Sequence, residues 1–341
     1  MNKYLYKFLR KLFILSIPID IAIVCYLILD PFKTTWQYER YFFDNTAHVG
    51  LNMDFVSTEN FVNRNPIQKY NAFIFGNSRS QYWQVDDWQE YIGKEARCYH
   101  FYGNGESLYN MAHNIQFIHH SGNDIDYALF VIDAELLRQA EVKPGHLFCT
   151  PPRTIGYRNI IKFHTSNFLA FLHPLFVYAC VDYQLHKTLK TYMLEKYLFE
   201  QPIVYNPNSN EIADQLFDQA IADGTYYNAK RMHRFQDIQH PDSISPSILL
   251  KENKRLLREI AHILHQHHTK YKIVISPVYD QIRINPADIQ VLQDIFGKSN
   301  VYDFSGKNPI TSDYHNYYEE SHYRPIIARQ LMDSLYLQIV N

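Results

Sequence analysis

The stretch Asn71 to Ser80, NAFIFGNSRS, constrains this chain more than any other. Ala72, Phe73, Ile74 and Phe75 form an apolar run too short for a helix and stopped by Gly76, the pattern of a strand buried inside a parallel sheet. Gly76-Asn77-Ser78 is then the turn leaving the carboxyl end of that strand. Ligands of open α/β sheets sit outside those ends, so Ser78 is placed for chemistry. The same tripeptide also makes an ordinary loop or helix N-cap, and nothing inside the stretch separates the two readings.

The chain that follows supplies the rest of a sheet. Val85 to Ile92, with Trp88, Tyr91 and Ile92 at helical spacing, predicts a helix stopped by Gly93. Cys98 to Tyr102 predicts a second strand, followed by the turn Gly103-Asn104-Gly105 and a helix with Leu108, Met111, Ile115 and Ile118 on one face. Asp126 to Ile132 is a third strand ending at Asp133. Strands alternating with amphipathic helices predict a parallel sheet covered on both faces.

From about residue 140 to residue 241 that alternation is lost. The region holds Pro151-Pro152, an aromatic stretch from Phe168 to Val181 and the polar tract Asn206 to Asn210. Phe168 to Val181 is too short to span a bilayer and contains His173 and Pro174, so it predicts a buried or membrane-surface helix in an inserted cap. A cap between core strands serves as a substrate lid or as structural padding. The sheet pattern then resumes. Ser245-Pro246 opens a helix through Leu249, Leu256, Leu257, Ile260, Ile263 and Leu264, and Ile273 to Ile275 is a strand. Asn285-Pro286 opens a helix that stops at Gly297, Val301 to Phe304 is a fifth strand, and Pro325 opens the terminal helix.

Lys3, Lys7, Arg10 and Lys11 precede an apolar run from Leu12 to Leu29, long enough to cross most of a bilayer core. Ile28-Leu29-Asp30-Pro31 offers no small-residue cleavage site, so residues 1–30 read as an uncleaved signal anchor. The basic flank sets the N-terminus in the cytoplasm and the remainder outside. Pro18 and Asp20 interrupt the run, and a buried amphipathic helix is the competing reading. Residues 31–69 show no strong period and read as a juxtamembrane connector to a domain over residues 70–341.

Formal net charge is -2, which argues against a nucleic-acid partner. The 28 Tyr and 22 Phe suit carbohydrate or lipid contact and a packed core alike. Cys25, Cys98, Cys149 and Cys180 form no C-x-x-C pair, so neither a zinc site nor a thioredoxin-like motif is indicated. With Cys25 in the apolar segment, the remainder allows at most one disulfide.

Before the last helix lies Tyr317-Tyr318-Glu319-Glu320-Ser321-His322-Tyr323-Arg324-Pro325. A carboxylate three residues ahead of a histidine can hold the imidazole tautomer while the other ring nitrogen faces a serine. Among 17 histidines an acidic neighbour is common, however. Asp313 with His315 is a rival pair and Ser80 a rival nucleophile. His119-His120 and His265, His267 and His268 close helices without a carboxylate to complete a metal set. Arg79 and Arg324 suit an anionic substrate or surface ion pairs.

Gly76-Asn77-Ser78 after the first strand, Gly105 after the second, an acidic position closing the third and Glu319-x-x-His322 before the terminal helix together resemble the SGNH (GDSL-like) hydrolase superfamily. The resemblance covers residues 70–135 and 245–338. It is nearest to the membrane-anchored branch, which includes proteins similar to alginate O-acetyltransferases and to the D-alanyl transfer protein of teichoic-acid modification. It implies a flavodoxin-like three-layer α/β/α domain with a five-stranded parallel sheet. Ser78 is then the nucleophile, His322 the general base and Glu319 its orienting partner. Backbone N–H groups of Ser78 and Gly105 would hold the oxyanion, with no cofactor and no metal.

The sequence departs from that pattern at three places. Gly-Asn-Ser replaces Gly-Asp-Ser, Glu319 stands where the family has an aspartate, and Asp133 occupies the neighbourhood of an expected asparagine. An anionic Asp133 repels a developing oxyanion unless it is protonated or turned away, and Asn104 or Asn77 becomes the stand-in donor. The implied activity is that of an extracytoplasmic esterase or O-acyltransferase on acyl esters of cell-envelope or exported polysaccharide. Its partners would be an acylated glycan or acyl donor, the membrane, and a membrane-bound acyl-transfer protein. The alternative is a catalytically inactive module that binds glycan or partner proteins.

Overall fold

Five parallel strands occupy the centre of the computed structural model, which describes residues 3–337. They are β1 (Ala72–Gly76), β2 (Cys98–Tyr102), β3 (Tyr127–Ile132), β4 (Lys270–Ile275) and β5 (Val301–Asp303), in the order β2-β1-β3-β4-β5. The chain leaves β1 for β2 on one side and then crosses to β3 on the other. The order therefore reverses between β1 and β3, and the carboxyl ends of those two strands flank the switch point.

Helices that matter for the core and the site include α1 (Lys3–Leu29), α2 (Met53–Gln68), α3 (Val85–Ile92), α4 (Leu108–His120), the short α5 (Ala134–Arg138), α6 (Ile160–Phe171), α7 (Pro174–His186), α8 (Lys251–Gln266), α9 (Pro286–Phe296) and α10 (Pro325–Tyr336), and the insertion adds the shorter Thr191–Leu194, Gln215–Ala222 and Ala229–Met232. All of β1 is buried. Its alternate residues serve two separate cores. Phe73 and Phe75 pack with Ile115 and Ile118 of α4 and Leu256 and Ile260 of α8. Ala72 and Ile74 pack with Trp88 of α3 and Leu331 of α10.

Most expected boundaries hold because local chemistry sets them. Asn285 caps α9 by accepting the Ala287 N–H, Pro286 fills the first turn, and Gly297 ends the helix at positive φ. The helix expected from Ser245-Pro246 starts later, at Lys251. The Asp288 carboxylate accepts the Ile248 and Leu249 N–H groups and the Ser247 hydroxyl, which holds that segment out of the helix. β4 begins at Lys270 because pairing with β3 extends to Tyr127.

Residues 31–69 are not a bare connector. They contain α2, in which every residue from Met53 to Phe61 is buried. Four of these nine are apolar and five are polar: Ser57 Oγ donates to the Tyr102 carbonyl, Thr58 Oγ1 to the Asp54 carbonyl and Asn60 Nδ2 to the Tyr99 hydroxyl, Asp54 accepts from Asn114 Nδ2, and Glu59 accepts a bidentate pair from Arg153. A buried helix face in which five of nine residues are polar leaves no apolar period to read.

The stretch expected as one helix from Phe168 to Val181 is two, α6 and α7, meeting at a 60° bend where Pro174 opens α7. The insertion also covers the sheet edge: the His100 N–H of β2 donates to the Ser209 carbonyl, and Asn210 Nδ2 to the His100 carbonyl. Phe199–Glu200 pairs with His48–Val49, so cap and connector segments close on each other. All four cysteines are free. Among the described residues, α1 is the one single helix long and apolar enough to cross a membrane, with a mean hydropathy of 2.6 over its best window.

Candidate active site

Ser78 leaves β1 through a turn with little freedom. A Cβ on Gly76 would lie 2.5 Å from the Val131 carbonyl oxygen and 2.6 Å from Ser80 Cβ, so only glycine lets the strand end between its neighbours. Asn77 caps the 3-10 turn Ser78–Tyr82 by accepting the Arg79 N–H on its side-chain oxygen.

His322 comes from a two-stranded hairpin in which Glu319 pairs with His322, just before Pro325 opens α10. The hairpin is fastened to the serine turn. Arg79 Nε donates to the Ser321 carbonyl at 3.1 Å, and Trp83 Nε1 donates to the Tyr323 hydroxyl at 2.7 Å.

Across this join His322 Nε2 lies 2.8 Å from Ser78 Oγ, while its Nδ1 is hydrogen-bonded to Glu319 Oε1. Glu319 as a carboxylate can only accept, so Nδ1 carries the proton in the neutral ring and Nε2 is left to accept from the Ser78 hydroxyl. Burial by itself would raise the Glu319 carboxyl, but hydrogen bonding and charge from His322, with Ser321 and Arg234, outweigh it and hold the group at about 2. Arg234, from the insertion, donates to Glu319 Oε2 at 2.6 Å.

Sequence reasoning missed Arg234, and no local pattern marks it. Its role exists only because the insertion returns over the hairpin. Tyr82 was also missed; its ring meets His322 edge-on at 6.1 Å and its hydroxyl donates to Asp214.

Ser78 and His322 open into a cavity of about 510 Å³, which Asn77, Arg79, Asn104 and Gly105 also line. The insertion closes the far wall with Lys143, Phe148, Phe199 and Gln201. No family model matches this chain, and no curated protein is similar to it in sequence. The site therefore has to be read from its own geometry.

Asp133 caps α5 by accepting the Leu136 N–H and takes Arg79 Nη1 at 2.7 Å and Asn77 Nδ2. Burial pushes its carboxyl up, yet the Arg79 charge and these hydrogen bonds bring it below the usual range, so it is ionised and matched. The repulsion expected between Asp133 and an oxyanion is thus compensated within the protein. Two expectations change accordingly. Arg79 is committed to Asp133 and Ser321 rather than free for an anionic substrate, and the Asn77 amide is committed to Asp133 rather than free as a donor. Asn104 lines the cavity and has no side-chain hydrogen bond among the described residues.

The rival residues fall elsewhere. Ser80 is fully buried, with Oγ donating to the Asn77 carbonyl at 2.7 Å and lying 2.9 Å from His100 Nε2. Burial lowers His100 to about 3, which keeps this second serine–histidine pair neutral and away from solvent. His315 and Asp313 pair with each other at 2.8 Å on the surface and do not line the cavity. Arg324 donates to the His315 carbonyl. His119 and His267 lie 2.8 Å apart, and no group of three or more His, Cys, Asp or Glu side chains able to hold a metal forms among the described residues.

Proposed function

We propose that this protein is a serine esterase or O-acyltransferase of the SGNH type, anchored by α1 and acting outside the cytoplasm on acyl esters of cell-envelope or exported polysaccharide. The single observation that carries the reading is Ser78 Oγ at 2.8 Å from His322 Nε2, with Glu319 on the other ring nitrogen, at the mouth of a cavity. That is the arrangement a weak hydroxyl nucleophile requires. The strand order and the two cores on β1 support a flavodoxin-like three-layer domain as its scaffold.

In the proposed reaction Ser78 Oγ attacks the acyl carbonyl while His322 Nε2 takes its proton. The Ser78 and Gly105 N–H groups, with the Asn104 amide, receive the oxyanion. His322 then returns the proton to the departing alkoxide as the carbon–oxygen bond breaks, leaving an acyl ester on Ser78. Water or a sugar hydroxyl, deprotonated by the same imidazole, resolves it. Water gives an esterase and a sugar an acyltransferase.

The test uses the full chain in detergent, with a chromogenic acetyl ester and a fluorophosphonate probe, beside Ser78→Ala. Labelling and turnover that disappear in the variant support the enzyme. If the unsubstituted chain neither labels nor turns over, the fold is a binding module for glycan or partner proteins.

A further inference from the structure

Exposed apolar side chains outside α1 gather on the helix pair of the insertion. Ile161 and Leu169 on α6 are 80% and 62% exposed, and Tyr178, Val181 and Leu185 on α7 are 62%, 53% and 74% exposed. The last three recur at intervals of three and four residues and so form one stripe along α7. A stripe of this kind is unusual on a surface that meets only water.

The buried side of the pair identifies what covers that stripe. Tyr26, in the last turns of α1, packs against Phe168 and Phe171 with ring centroids 5.6 Å away in each case. Phe32, just past α1, stacks on Phe176 at 5.1 Å. The helix pair is therefore fixed to the end of α1, among the described residues the one single helix long and apolar enough to cross a membrane. Trp36, 58% exposed, donates its indole N–H to the Leu27 carbonyl at the same level, where an aromatic ring suits a bilayer interface. With 12 and 13 residues, α6 and α7 each reach about 20 Å at 1.5 Å per residue, too short to span. Arg158 and Lys187 bracket the pair in sequence, both exposed, as suits anionic headgroups.

From this juxtaposition we propose that α6 and α7 form a platform seated in the surface of the bilayer that α1 crosses, a proposal that rests on reading α1 as the anchor. The consequence concerns the substrate. A groove of about 700 Å³ runs beside α6 along Ile160, Ile161 and Leu169 and includes Lys143, which also lines the cavity holding Ser78. The platform thus sets the serine beside the membrane surface, where it meets an ester carried by a membrane-resident amphiphile.

The test uses the full chain in phosphatidylcholine–phosphatidylglycerol vesicles containing a phospholipid with a diazirine in its acyl chain, followed by peptide mapping of the photoadducts. Adducts are expected within 4–29 and within 160–185, and none within 286–296. Replacing Ile161, Leu169 and Val181 together by serine is expected to lower the adducts in 160–185 at least fivefold and leave those in 4–29 unchanged. Adducts confined to 4–29 overturn the platform and leave the anchor standing. Absence of adducts from 4–29 overturns the anchor reading and the platform with it. A bifunctional amine-reactive crosslinker added to the same vesicles that joins Lys162 or Lys187 to a second copy, with no lipid adduct within 160–185, would make the occupant another protein chain and also overturn the proposal.

Discussion

Ser78 and His322 stand 244 positions apart in the chain and meet at 2.8 Å. The contact is made by two loops tied together by Arg79, whose backbone follows the serine and whose side chain holds the carbonyl of Ser321. Neither partner is held by neighbours in sequence alone. The pair therefore depends on the sheet ending at Gly76 and on the hairpin folding over it.

Ser78→Ala and His322→Ala should each abolish fluorophosphonate labelling and lower acetyl-ester turnover by about 10⁴-fold or more, as loss of a triad member does. Ser80→Ala should keep labelling, since that hydroxyl is sealed in the core. It should instead destabilise the protein by about 1–3 kcal/mol in urea unfolding, because His100 loses a buried partner.

Glu319→Gln retains the shape of the hairpin but can no longer hold the imidazole proton on Nδ1 by charge. Turnover should fall by about 10³–10⁴-fold with the melting temperature nearly unchanged. Equal loss in Arg234→Ala would assign the effect to the hairpin's position rather than to the imidazole.

Asn104 lines the cavity beside Gly105 and has no side-chain hydrogen bond among the described residues. Asn104→Ala should lower kcat by about 10²-fold with little change in KM, the signature of a donor used only in the transition state. An unchanged kcat in steady-state assays would leave the oxyanion to the backbone N–H groups.

Arg79→Met leaves the Asp133 carboxylate buried without its counter-charge. A loss of about 3–5 kcal/mol is expected in urea unfolding. The double variant Arg79→Met with Asp133→Asn should recover a measurable part of it, whereas additive losses would show the two side chains to be uncoupled.

Asp54 and Glu106 are both buried, and the negative charge of Asp54 adds to the burial that opposes ionisation of Glu106. Burial raises Asp54 from 3.8 to about 7 and raises Glu106 as well. A carboxyl raised on folding contributes stability that is full below its unfolded value and is lost as pH rises through its folded value. Between pH 5 and pH 8, Asp54→Asn should thus lose less stability than the unsubstituted chain. Thermal unfolding at the two pH values checks this, and parallel losses would contradict it.

The sequence by itself determined the elements whose signals are local. A short apolar run stopped by glycine marks β1, glycine and proline mark the ends of α3, α9 and α10, and hydropathy marks α1. These signals work because backbone conformation and burial of a short segment depend mainly on its own residues. They also brought forward Ser78, Glu319 and His322, but could not separate them from Ser80 or from Asp313 and His315.

Only the tertiary structure set those candidates apart in their surroundings, because burial of Ser80 and exposure of His315 are properties of the packed molecule. It likewise turned Asp133 from a repulsive charge into a matched one through Arg79. The helix α2 stayed hidden because much of its buried face is polar and becomes stable only when Tyr99, Tyr102 and Arg153 arrive to satisfy it. Hydrogen bonds and ion pairs between segments distant in the chain have no period, so a linear reading has no means of finding them.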